Sequence, residues 1–433
     1  MKKNKKSNSV ANAVKSIVLS AILGVCPQAW EVAQASGFGL YEASAKTYAL
    51  GGAVLGKAVD ASANFHNPAT LTDLTNITIS VGFMTEHPRG RMKTDKTDGR
   101  TSAMDAGVFV LPSFQMAVPL PWDFTFGLGM MPEYGLGSEY CRDWDLSFNS
   151  VDTTVTSFTV NPNIAYKITD DWSIGGGMRF LFFDFEQHSR PVVTALGHRF
   201  RNRLKGDNEM KDFGYQIGTK YDITDTFSVG LVYKSMTRVQ VEGTSRNSSL
   251  ALPGDPYYTV LAANAAQKSG DAKTTLDLPQ SITAGFNWDI TPTWHLGGMV
   301  SWTEWSSIGT LNFHLPGQNK PIKLEWEDTW RFGIAPSWDF AEDWTLLGSY
   351  VFETDCCGDQ DSTMLPPSER HMVSLGLDWQ ISNNWSACLT YGLILMDGKE
   401  SDCTEVNVSK ETYHYSAHRA LSHAAGFTLT YKF

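Results

Sequence analysis

The chain has 433 residues, and mean hydropathy is −0.22. Beyond the first 35 residues no stretch reaches the roughly 18 apolar residues that a membrane helix needs, which excludes a helical membrane protein. Thirty-five basic residues stand against 46 acidic ones, and without the first 35 positions, which hold five Lys and one Glu, the balance is 30 against 45; nucleic acid is excluded as a partner.

The chain opens on a processing segment. Lys2, Lys3, Lys5, Lys6 and Lys15 precede an apolar run from Ile17 to Val25, and small residues follow up to Ala33-Gln34-Ala35. This is the pattern of a secretory signal peptide, 1–35, with the mature chain expected to start at Ser36.

Residues 36–74 are rich in Gly, Ala and Ser and lack period-2 alternation. Such a composition predicts a compact, irregular plug rather than a strand.

From residue 75 to the end, alternation takes over. Trp172, Ile174, Met178 and Phe180 share one face of a strand, as do Trp385, Leu389, Tyr391 and Leu395. Six times the pattern breaks at a short turn and resumes on an aromatic: Trp122, Trp172, Phe227, Trp294, Trp344 and Trp385. Each aromatic is in phase with the apolar face, as an interfacial belt requires. Strands are expected near 75–86, 105–119, 122–134, 150–167, 171–186, 210–222 and 226–241, then near 275–290, 293–309, 324–340, 343–354, 369–382, 384–396 and 415–433. The expected fold is all-β: a 14-stranded antiparallel transmembrane β-barrel, 75–433, with the N-terminal hatch or plug, 36–74, inside its lumen. The long connections, 87–104, 135–149, 187–209, 242–274, 310–323, 355–368 and 397–414, all fall opposite the short turns. That asymmetry is the arrangement of a bacterial outer-membrane protein.

The segment 36–74 resembles the hatch of the FadL-type outer-membrane transporters of long-chain fatty acids and other hydrophobic compounds. The matching residues are Gly37-Phe38, Asp60-Ala61-Ser62 and Asn67-Pro68-Ala69. The stretch FGLGMMPEYGLGSEY resembles the family's third strand, and the likeness covers essentially the whole chain after the leader. It implies passive transport: capture by outer loops, transfer to an apolar lumen site, and lateral release through a kinked third strand. Aromatic or alkane hydrocarbon uptake is the alternative substrate reading. A non-transporting adhesin or receptor barrel is the alternative of another class.

The hatch and gate residues are then Gly37, Phe38, Asp60, Asn67, Pro68, Ala69, Gly127, Gly129 and Gly135. Pro68 removes a backbone donor and fixes φ, which suits a hinge. Glycine within a strand marks a bend, a bulge or a close approach. For ligand capture, residues 192–206 read as a short amphipathic helix, with Phe200 and Leu204 on an apolar face and Arg199, Arg201 and Arg203 on a basic one. A fatty acid needs both: a groove for its tail and a cation for its carboxylate. The equal alternative is a basic patch for lipopolysaccharide phosphates. A second helix at 255–270 offers Tyr257, Tyr258 and Leu261 to the groove, or merely caps the mouth.

Cys141, Cys356, Cys357 and Cys403 lie in loop sequence, and export permits disulfides among them, in one of three pairings. Metal binding by Cys356-Cys357 is the less favoured reading. No metal, cofactor or enzymatic constellation is expected. His188-Ser189 and the series His414, His418 and His423 are scattered. The remaining expected partners are outer-membrane lipid, lipopolysaccharide and, through the terminal Phe433, the barrel-assembly machinery. A monomer is expected.

Overall fold

The computed structural model describes residues 37–96, 101–105, 107–208, 212–316, 318–357, 363–365, 368–398, 400–405 and 408–433. The expected leader and its cleavage site lie outside the described residues. Among those described, fourteen wall strands pair antiparallel with their chain neighbours, and the last pairs with the first. They are β1 (Thr78–Thr94), β2 (Thr101–Asp105 and Phe109–Pro119), β3 (Phe124–Met131 and Gly135–Glu139), β4 (Asp152–Lys167) and β5 (Trp172–Ser189). Next come β6 (Phe200–Asp207 and Phe213–Thr224), β7 (Phe227–Lys234 and Thr237–Ser249) and β8 (Gly270–Leu278 and Ser281–Asp289). Then follow β9 (Trp294–Thr303 and Thr310–Leu315), β10 (Gln318–Lys323 and Thr329–Ala341) and β11 (Trp344–Glu353). β12 (Ser368–Gln380), β13 (Trp385–Gly398 and Glu400–Thr404) and β14 (Thr412–Lys432) complete the wall.

Closure runs from Thr78↔Lys432 to Thr94↔Tyr415, so no strand edge is left at the seam. A closed barrel is how a sheet satisfies its backbone in lipid. The outward face carries the apolar residues: Ile174, Phe180, Leu231, Ile334, Leu375 and Leu389 are all exposed. At the short-turn end, aromatics of neighbouring strands stack in pairs. Trp294 lies parallel to Trp338 at 5.3 Å and Trp344 parallel to Trp379 at 5.2 Å. The aromatic belt therefore has the phase read from the sequence at five of the six turns. The exception is the first. Trp122 and Asp123 both take left-handed backbone, φ 62° and 61°, inside the turn itself. Phe124 takes the belt place there and packs on Tyr166 at 4.6 Å.

The strands also run further outward than expected. Residues 87–94, 200–207, 242–249 and 310–315 belong to the wall, not to loops. Beyond the bilayer both faces of a strand meet water or polar lumen. The backbone ladder continues there, but the alternation that reveals a strand does not.

Residues 37–74 fill the interior. Helix α1 (Ala45–Ala49) meets β11 to β14 and β1, and a 3₁₀ turn (Pro68–Asp73) meets β3 to β6 on the other side. Between them, helix α2 (Ala63–His66) contacts β2, β3 and β4. The wall receives this segment by losing side chains. A Cβ at Gly376 of β12 would lie 2.6 Å from that of Ala49, and one at Gly175 of β5 would lie 2.6 Å from the Ala69 nitrogen.

Polar groups then tie segment to wall. Lys46 pairs with Asp378 at 2.6 Å and Asp73 pairs with Lys220. Asn287 receives the Gly56 N–H at 2.9 Å and donates to the Ala53 carbonyl at 3.0 Å. Asn67 is fully buried: its Nδ2 donates to the carbonyls of Leu55 (2.6 Å) and Thr219 (3.1 Å), and its Oδ1 caps the 3₁₀ turn through Ala69 N–H at 3.1 Å. Asp60 accepts from Ser44 Oγ at 2.7 Å and from Ser62 N–H at 2.8 Å, joining the first helix to the second. A buried acceptor left without its donor costs about 1–3 kcal/mol. Asn67→Ala leaves the Leu55 carbonyl and the Ala69 N–H without their side-chain partner, so it is expected to loosen the segment by about 2–6 kcal/mol. Amide hydrogen exchange should show faster exchange at residues 45–73 with wall strands unchanged; unaltered protection there would refute the anchoring role.

Candidate functional site: an apolar path ending at the third strand

Strand β3 pairs with β4 along both of its halves, through Met131↔Thr159 and again from Gly135↔Thr156. Its pairing with β2 stops at Phe114↔Met130 and resumes only at the Met104↔Tyr140 bridge. Pro132 lies in the gap and has no N–H to give a ladder. The unpaired edge is taken from inside the barrel by Phe38–Leu40. Leu40 N–H donates to the Glu133 carbonyl at 2.8 Å and Gly135 N–H donates to the Phe38 carbonyl at 2.6 Å, with Gly39 opposite Tyr134. On the other side Ser157 Oγ accepts from Tyr134 N–H and donates to the Tyr134 carbonyl, both at 2.8 Å.

The kink turns Glu133 inward, where it is buried. Arg179 of β5 grips it bidentately, Nη2 to Oε1 at 2.6 Å and Nε to Oε2 at 3.2 Å. Thr159 Oγ1 donates to Oε2 at 3.0 Å. Lys234 of β7 lies 3.7 Å from Oε1 and 3.2 Å above the Phe65 ring of α2. Two cations thus share one carboxylate in an enclosed space.

Three cavities line up above this point. The outermost, about 240 Å³, is lined by Gln187, Val192, Phe200, Asn202, Leu204 and Phe313. Phe313 also borders the next cavity, whose walls are Phe38, Phe183, Phe185, Leu276, Trp326 and Met364, apolar almost throughout. The third, about 40 Å³, lies against the kink between Leu40, Phe65, Tyr134, Lys234 and Trp305. Phe38 stands between the second and the third. Its ring lies 5.2 Å from Trp305, 5.7 Å from Trp326, 6.0 Å from Tyr134 and 6.4 Å from Phe183. Gly37 makes that position reachable: it has φ +56°, and a Cβ there would lie about 2.5 Å from the Trp305 ring.

Several expectations are corrected. Gly127 and Gly129 are in regular ladder with both neighbours, opposite Ala117 and Gln115, and do not form the kink. They make room for the N-terminal segment: a Cβ on Gly127 would meet Leu71 at 2.7 Å, and one on Gly129 would meet Asn64 at 3.1 Å. Gly135, at the end of the break, does contact the segment. Asn67 and Pro68 lie against β5 to β7 rather than beside the kink. The neighbour of β3 is Asn64, which bonds the Met116 carbonyl and receives Asn163 and Gln216.

Residues 192–206 form no helix. Val192 bridges Arg199 around a turn, and Phe200–Asp207 is strand. Phe200 and Leu204 face inward and border the outer cavity, whereas Arg201 and Arg203 are exposed on the outer face. Arg203 pairs there with Glu186 at 2.5 Å. Arg199 donates to Ser147 Oγ at 2.7 Å. No greasy groove with a basic rim results. The second expected helix exists as α3, Tyr258–Gln267. Leu261 packs on Phe200, but Tyr257 and Tyr258 are 50% and 41% exposed, so the helix caps the mouth. Among the described residues no disulfide joins Cys141, Cys356, Cys357 and Cys403.

Sequence reasoning missed Leu40, Asn64, Glu133, Arg179 and Lys234. Only Arg179 carried a usable signal, a charge at an inward position of an otherwise apolar strand.

A family model described as outer membrane protein transport protein (OMPP1/FadL/TodX) matches residues 28–433. The long-chain fatty acid transport protein of Escherichia coli (strain K12) is 24% identical over 432 residues, 90% of this chain and 93% of that one. Outer membrane protein P1 of Haemophilus influenzae (strain Rd) is 24% identical over 459 residues, covering 93% and 96%. Among solved structures, a Pseudomonas aeruginosa FadL homologue superposes with TM-score 0.81 at 18% identity, covering 92% of this chain and all of that one. The Pseudomonas putida toluene transporter TodX gives TM-score 0.69 at 15% identity, covering 90% and 98%.

The buried ion pair at the kink has a measurable weight. Removing one partner of such a pair costs about 3–5 kcal/mol, because the other charge stays buried. Arg179→Met leaves Glu133 only Lys234, at 3.7 Å, and Thr159, so it is expected to destabilise the folded barrel by the lower end of that range, about 3 kcal/mol, read from urea unfolding in detergent. A change below about 1 kcal/mol would show that water reaches Glu133.

Proposed function

The chain belongs to the OMPP1/FadL/TodX family of outer-membrane transport proteins, and we propose that it carries long-chain fatty acids along the cavity path to the third-strand break. It transports hydrophobic compounds in the bacterial outer membrane and is not an enzyme. The observation that carries the finer reading is the order of chemistry along the path. An apolar cavity walled by Phe183, Phe185 and Trp326 leads to a point where Arg179 and Lys234 face a single carboxylate, Glu133. An apolar tail with an anionic head matches that order, since a charged donor pair favours a carboxylate.

The route needs no energy source. Ligand enters beside Phe200 and Phe313, settles against Phe38, and displaces Phe38–Leu40 from the β3 edge. It then leaves sideways between β2 and β3. Two backbone hydrogen bonds hold that edge, about 0.5–1.5 kcal/mol each. Ligand burial can supply this: covering Phe-sized apolar surface yields about 1.5–3 kcal/mol. Asn67, Asp60 and the ion pairs of Lys46 and Asp73 keep the rest of the hatch in place, so only its first residues have to move.

Two experiments test this. In Gly39→Cys/Tyr134→Cys, a disulfide between facing positions is expected to abolish uptake of labelled oleate and of toluene, with recovery on reduction. Uptake unaffected by the cross-link would overturn the edge as the gate. Lys234→Met is expected to weaken oleate binding about tenfold, one lost charge contact of roughly 1.4 kcal/mol, and to leave toluene binding unchanged. Equal losses would favour a hydrocarbon substrate, as in the toluene transporters of the same fold.

A further inference from the structure

We propose that Asp355, Cys356 and Cys357 form a binding site for a thiophilic divalent metal ion, at the outer end of the barrel beside the first residues of the hatch. The three are consecutive, in the connection that follows β11. One ligand atom from each lies within 4.8 Å of the others, and the two sulfurs are 3.6 Å apart.

Two features set this apart from chance proximity. First, neighbouring side chains in extended chain point to opposite faces, yet here both sulfurs converge. The loop is held in that form by Asp355 Oδ1, which accepts from Cys357 N–H at 2.9 Å and from Ser368 N–H at 3.0 Å. Second, the spacing fits the ion. With metal–sulfur bonds of about 2.3 Å, tetrahedral geometry places two sulfurs about 3.8 Å apart. Three protein ligands and one open position result.

The surroundings balance the charge. Arg370 of β12 is buried and acts electrostatically on Cys357. Burial first, and then Cys356, push the Cys357 thiol up. Binding a divalent ion releases two thiol protons to solvent. Two thiolates, Asp355, Arg370 and the ion then sum to zero. The second shell points to the hatch: Gly37 N–H donates to Cys356 Sγ at 3.1 Å, and Phe38 is the next residue. An ion there sits one hydrogen bond from Gly37, the residue before the one that closes the path.

The test uses the full-length barrel, refolded in detergent and kept reduced with a phosphine, with Cd²⁺ as the probe. Thiolate-to-cadmium charge-transfer absorption is expected to saturate at one equivalent. It should vanish in Cys356→Ser and in Cys357→Ser and persist in Cys141→Ser and Cys388→Ser. Asp355→Asn is expected to weaken binding at least 10- to 100-fold, the weight of even an outer-shell partner. Heat-modifiable gel migration verifies that each variant is folded. No charge-transfer band in the folded wild type, or a band that survives loss of both Cys356 and Cys357, overturns the site.

Discussion

The interior of this barrel is organised around one unsatisfied edge. A closed sheet in lipid has no water to complete its backbone, yet Pro132 leaves β3 without partners toward β2 over several residues. The chain answers from its N-terminal segment: Phe38–Leu40 act as a short extra strand from inside. Everything else in the lumen follows from holding that piece there. Gly37 supplies the left-handed turn under Trp305, Glu133 is drawn inward to Arg179, and Phe38 comes to rest between two cavities.

The rest of the N-terminal segment has an anchoring character. Its contacts are with carbonyls, amides and paired charges at many points of the wall, while the edge contact has two backbone bonds and one ring. The wall glycines at 127, 175 and 376 are the imprint of this segment, places where main chain needs the space of a side chain. The two parts of the segment are thus separated by interaction type: few, neutral and apolar at the start, many and polar from Ala45 onward.

The wall was legible in the sequence because lipid imposes alternation. Trp172 to Phe180 and Trp385 to Leu395 have the faces their periodicity implied. The outer parts were not. Phe200 and Leu204 are four residues apart, a spacing that places two side chains on one face of a helix and equally on one face of a strand. The intervening Arg201 and Arg203 decide for strand, since a two-residue period alternates them outward. Trp122 misled in another way: it sits in a two-residue turn whose left-handed backbone is rare for tryptophan. The site residues stayed hidden because each is set by a partner far along the chain. Glu133 next to Pro132 reads as a turn until Arg179, 46 residues on, is brought opposite it.

The belt also measures height. Phe124 marks the inner interface on β3 and Pro132 lies eight residues further along the same strand. At about 3.3 Å per residue and a tilt near 40°, the break stands roughly 20 Å above the belt, in an apolar band about 25 Å tall. On the proposed route, a molecule leaving there enters the outer leaflet of an asymmetric bilayer, whose inner leaflet faces the periplasm. Crossing the remaining distance is then a spontaneous lipid flip. For the fatty acid proposed above, the uncharged, protonated form makes that flip far faster than its anion, so the acidity of the medium, rather than the protein, would set the pace of the final step.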